Sequence, residues 1–140
     1  MYSMLNITCY AHWFWKNSGS TLEWSYETDD SVKSVVVSAD GEYIVAGSQD
    51  NKVYLFDKDS STPLWSYTTG DNVWSVAISA DGEYIAAGSE DNKVYLFDKD
   101  SSTPLWTYSL EDTVKSVSIS QDGKYLLAGS YDGKVYLFDK

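Results

Sequence analysis

The chain has 140 residues, 22 of them Phe, Trp or Tyr, and 10 Lys+Arg against 21 Asp+Glu leave a net charge of −11. That charge repels a polyanion and argues against nucleic-acid binding. One Cys (Cys9) excludes an internal disulfide, and one His (His12) leaves too little for a His-rich zinc site or a His-based triad.

Met1 to Trp15 is uncharged apart from His12 and shorter than the ~20 apolar residues of a membrane span. It also lacks the basic start and small-residue cleavage pattern of a signal peptide, so neither membrane nor compartment is read from it. Residues 1–19 are read as an N-terminal extension. Within it, His12-Trp13-Phe14-Trp15-Lys16-Asn17 stands 41 residues before Val53-Tyr54-Leu55-Phe56-Asp57-Lys58 and has a decayed strand as its alternative reading.

From residue 20 the chain repeats. Trp24, Trp65 and Trp106 recur at a period of 41, as do Phe56, Phe97 and Phe138, and residues 24–64 match 65–105 at 33 of 41 positions. The first element is an outer strand over 20–27 carrying Leu22, Trp24 and Tyr26. The unit is then read as four strands, here taken from its middle copy. Strand A is Val73–Ser79, β-branched and alternating, and Asp81-Gly82 turns the chain into strand B, Tyr84–Ser89. Asp91-Asn92 suits a tight hairpin that needs positive φ, with Asp132-Gly133 in its place in the third copy. Strand C is Lys93–Asp98, and a loop containing Pro104 leads to strand D, Leu105–Tyr108. No stretch carries the 3.6-residue period of an amphipathic helix.

Four short strands every ~40–45 residues predict an all-β chain of three propeller blades, each of four antiparallel strands. The segment SVAISADGEYIAAGSEDNKVYLFDK resembles a WD40 repeat, with Phe97-Asp98 where that family has Trp-Asp. Val94-Tyr95-Leu96-Phe97-Asp98, followed by Trp106, is similar to the repeat of quinoprotein-like (PQQ-like) propellers. No Gly-His pair precedes strand A, and Ser101-Ser102 stands where the quinoprotein turn has Thr-Gly. The resemblance covers 20–140 and implies the propeller architecture, on which the chain is read as a non-catalytic binding or scaffold module. A fragment of a larger quinoprotein-like propeller is an alternative it leaves open.

The repeat opens on a strand D and closes on a strand C, Lys134–Asp139, so the third blade lacks its outer strand. Three blades also fall short of the ~4–8 that close a ring. The expected partner is therefore the chain itself, with Leu22, Trp24 and Tyr26 of one copy completing blade three of the next. A homodimer gives six blades and a homotrimer nine. A purely structural, self-assembling or consensus-like repeat protein is the other alternative.

Catalytic chemistry is not expected. Asp40, Asp81 and Asp122 precede Gly in turns, and Asp50, Asp91 and Asp132 sit in hairpins, places where Asp bonds its own backbone. Catalytic carboxylate pairs need unequal environments, whereas repeats supply equal ones. Asp57–Ser61 begins like a calcium loop but lacks the Gly and Glu that an EF-hand requires. Neither a metal nor a cofactor is expected.

The copies differ mainly at one end of the unit: the D–A loop, the second residue of strand A (Lys33, Trp74, Lys115) and the B–C hairpin (Gln49, Glu90, Tyr131). Loops on a rigid scaffold are where recognition resides. These six residues form the candidate binding face, for a peptide or glycan, with Trp74 and Tyr131 as aromatic anchors.

Overall fold

Eleven strands, and no helix among the described residues, make up the computed structural model, which describes residues 19–140. The extension expected before them, with Cys9 and His12–Asn17, lies outside the described residues apart from Gly19. The first sheet is β1 (Val32–Val37), β2 (Tyr43–Ser48), β3 (Lys52–Asp57) and β4 (Trp65–Thr68), paired in chain order. The second is β5 (Val73–Ile78), β6 (Tyr84–Ser89), β7 (Lys93–Asp98) and β8 (Trp106–Ser109). The third has β9 (Val114–Ile119), β10 (Tyr125–Ser130) and β11 (Val135–Asp139), without an outer strand among the described residues. Every pairing is antiparallel. This is the all-β, bladed architecture that the 41-residue repeat predicts.

Local chemistry explains the turns. Asn51 and Asn92 adopt φ of 71° and 69° in the B–C hairpins, and Gly133 takes 80° at the third. Asn and Gly tolerate that region, whereas a β-branched residue would be strained there. At each A–B turn a serine and an aspartate lock together. Ser79 Oγ donates to Asp81 at 2.5 Å, Asp81 accepts the Glu83 N–H at 3.0 Å, and Ser79 Oγ accepts the Tyr84 N–H. Ser79 therefore belongs to the turn, and strand A ends at Ile78. Strand D begins one residue later than expected, although the Leu105 N–H still donates to Leu96 O at 2.7 Å.

Successive sheets pack face to face. Val45, Val53 and Leu55 of the first sheet meet Val73, Val76, Ile85 and Phe97 of the second in one buried cluster. Ala86, Val94 and Leu96 meet Val114, Val117, Leu126 and Ala128 in the next. The same polar stitch accompanies each: the Val76 N–H donates to Ser34 Oγ and the Val117 N–H to Ser75 Oγ, both at 3.1 Å. Glycine is required where strand B meets the following blade, because a Cβ on Gly88 would lie 2.7 Å from Val114 Cγ1. The outer strand reaches across too. The Trp65 indole N–H donates to Lys99 O at 2.7 Å while its ring lies 5.3 Å from that of Phe97.

Residues Thr21 to Tyr26 carry the same packing without a ladder. The Trp24 indole donates to Lys58 O at 2.7 Å, and Phe56 meets Trp24 in a tilted contact at 5.4 Å and Tyr26 edge-on at 5.3 Å. Among the described residues no strand pairs with them, and Leu22 is exposed.

Candidate interaction face

Strand A is bulged in every blade. Val73 pairs with Ser89 and Ser75 with Gly88, which leaves Trp74 without an opposite number. The register skips Lys33 in the first sheet and Lys115 in the third in the same way. A bulge removes one residue from the ladder and re-aims its side chain. The cause lies in the packing: Val73 and Val76 must both be buried, yet they stand three apart, which strict alternation would put on opposite faces. An extra residue between them reconciles the two.

The three bulge residues meet across blades. Lys115 Nζ lies 3.3 Å from the Trp74 ring centroid and 4.5 Å from that of Tyr131, and Lys33 Nζ lies 5.6 Å from Trp74. Such cation–π contacts contribute about 0.5–1 kcal/mol each at exposed sites. Glu90 fixes the indole from the hairpin, accepting from Trp74 Nε1 at 3.1 Å and from Asn72 Nδ2 at 2.7 Å. Those two donors, with Lys115 nearby, hold the Glu90 carboxyl below its usual range. Five of the six expected residues thus form one cluster. Gln49 occupies the matching hairpin of the first blade, but its side chain makes no hydrogen bond among the described residues.

A second network was not anticipated. In each hairpin an aspartate accepts a hydrogen bond from the tyrosine four residues on: Tyr54 to Asp50 at 2.6 Å, Tyr95 to Asp91, and Tyr136 to Asp132 at 2.5 Å. Asp91 also accepts the Gly70 N–H at 2.8 Å and so ties the D–A loop to the hairpin. Burial, then the carboxylate, pushes the Tyr54 and Tyr95 hydroxyls well above the ordinary tyrosine range. Both stay protonated donors. The spacing Asp-x-x-x-Tyr was present in all three copies and was the signal for it.

The opposite end of the blades differs little between copies. It carries the Ser–Asp turns, and the hydrogen bond from serine holds Asp40, Asp81 and Asp122 below their usual pKa.

This repeated blade has a family. A profile described as outer membrane protein assembly factor BamB, of the PQQ-like group, matches residues 13–140. The chain belongs to this PQQ-like propeller family. Among solved structures it is similar to the crystal structure of the RRP9 WD40 repeats, with a TM-score of 0.75 and 22% identity over 81% of this chain. It is similar also to the structure of U3-55K, with a TM-score of 0.75 and 21% identity over 81% of this chain. The alignments span 36% and 37% of those two chains, so the match to this PQQ-like chain covers little more than a third of either. No curated protein matches it.

Proposed function

We propose that this PQQ-like chain is a non-catalytic interaction module. It holds a partner on the bulged end of its blades and assembles with further copies of itself through the outer strand position beside β11. The observation that carries the reading is the recurrence of the bulge. One residue per blade is freed from the ladder at the same place, and it is a tryptophan (Trp74) in the second blade but a lysine (Lys33, Lys115) in the first and third. Trp74 and Tyr131 supply large, rigid contact surface, the kind that anchors interfaces. A family described as an assembly factor, and neighbours built of WD40 repeats, are in keeping with a protein that holds other molecules. The non-catalytic part rests on the carboxylates. Asp40, Asp81 and Asp122 each accept from the equivalent serine and the equivalent backbone N–H of their own blade, so no pair is set apart for acid and base roles.

The test probes the purified chain on a peptide array and a glycan array, then retests the captured probes by titration. Trp74→Ala is expected to weaken capture about tenfold or more, and Lys115→Ala to weaken it less. Capture unaffected by both substitutions would place recognition elsewhere on the molecule.

A further inference from the structure

Each internal contact between blades has two halves, and the described chain presents one unmatched half at either end. On the third blade, a Cβ on Gly129 would meet nothing nearer than Ser116 Cβ at 3.9 Å, whereas Gly47 and Gly88 are pressed by valines of the following blade. Leu127, Val135 and Leu137 are 44%, 79% and 64% exposed, although their counterparts in the first two blades are buried. Beside them a shallow hollow of about 450 Å³ is lined by Ser120, Gln121, Asp122 and Tyr125. On the first blade the complement stands free. Val32 and Val35 are 47% and 67% exposed, against 0% and 6% for Val73 and Val76. A Cβ built on Gly41 would meet nothing within 4 Å, whereas one on Gly82 would lie 3.0 Å from Tyr43 of the preceding blade and one on Gly123 3.4 Å from Tyr84.

We infer that the broad face of the third blade receives the first blade of a second copy of this chain, in the geometry of the two contacts already present within it. The inference deepens the self-assembly reading proposed above. The repeat supplies the register. Val32 and Val35 of the second copy cover Gly129, the Val35 N–H donates to Ser116 Oγ, and the Gly41 turn fills the hollow at Ser120 and Tyr125. Lys58 of the second copy then approaches the Tyr125 ring, as Lys140 lies 3.1 Å from the Tyr84 centroid. Trp24 stays on Phe56 of its own blade and brings Tyr26 opposite Val135 of the first copy, matching Tyr67 opposite Val53. Area supports the same occupant. Four strands of about six residues present roughly 380 Å² per face, so a ring with two such contacts buries about 1,500 Å² in all, the size of a stable interface.

The experiment measures solution mass by light scattering for the full chain and for Gly129→Ala, Val32→Ala and their combination, with unfolding midpoints alongside. The full chain is expected at two or three times 15.7 kDa. In Gly129→Ala the new methyl strikes Val32 of the partner and weakens association about tenfold or more. Its own fold has room for that methyl, so the unfolding of the separated chain stays unchanged. Val32→Ala in the same chain removes the struck methyl and recovers part of the assembly. A full chain that stays at 15.7 kDa overturns both this contact and the self-assembly reading. A full chain that assembles and is indifferent to Gly129→Ala overturns the face contact alone and leaves the strand pairing standing.

Discussion

Ser79 and Asp81, with their counterparts Ser38–Asp40 and Ser120–Asp122, make the stability of the chain depend on acidity. Each carboxyl is held below its usual value of 3.8, chiefly by the serine hydroxyl. The unfolded chain binds these protons more readily than the folded one. The stabilisation is therefore complete above the unfolded value and is lost as the pH falls through the folded values. Melting temperature followed by circular dichroism is expected to be level through neutral pH and to drop below about pH 4. Ser79→Ala should make that drop shallower. The tyrosine clamp acts by satisfying the hydroxyl of buried Tyr95 instead. Asp91→Ala leaves the Tyr95 hydroxyl and the Gly70 N–H without their shared acceptor, and denaturant unfolding should show a loss of about 1–3 kcal/mol. At this scale the sequence was partly legible. Substitution between copies pointed to Lys33, Trp74, Glu90, Lys115 and Tyr131, which do meet. The Asp-x-x-x-Tyr clamp went unseen because its carboxylates already had a sufficient explanation as turn residues.

The strands were the easiest elements to read, since each blade is a run of local hairpins whose turn residues declare the required φ. Two element-level features were harder. Alternation predicts a regular strand A, and the interval of three from Val73 to Val76 is the sign that a residue has to leave the ladder. The strand expected over 20–27 carries the Trp-Ser-Tyr of β4, yet it has no ladder among the described residues. Its side chains find their aromatic seat within the chain, whereas pairing depends on a neighbouring strand, which local sequence does not specify. Close packing between elements yields its own prediction. At Gly88 an added methyl meets Val114 at 2.7 Å and Val117 at 3.1 Å. Gly88→Ala should therefore destabilise the chain by about 1–3 kcal/mol in urea unfolding, unlike the same change at Gly129.

For the whole molecule, the decisive property is that the contacts between blades are head-to-tail. Such a contact produces a ring when its rotation closes and a filament when it does not. The solution mass separates these cases: two copies give about 31 kDa, twice 15.7 kDa, and three about 47 kDa. Removal of residues 1–26 takes away the strand that β11 would pair with, along with the indole on Lys58 O, and is expected to shift the mass toward that of a single chain. Mass unchanged by the deletion would mean that the broad faces suffice. The bulge in strand A has a consequence of another kind. A position excluded from the ladder is one where selection can try nearly any side chain without disturbing registry. Positions 33, 74 and 115 are thus three touching letters, read as one word, on an otherwise fixed page. A library randomised at those three codons should return folded members in most combinations, and new specificities would arise there at little cost to the blades.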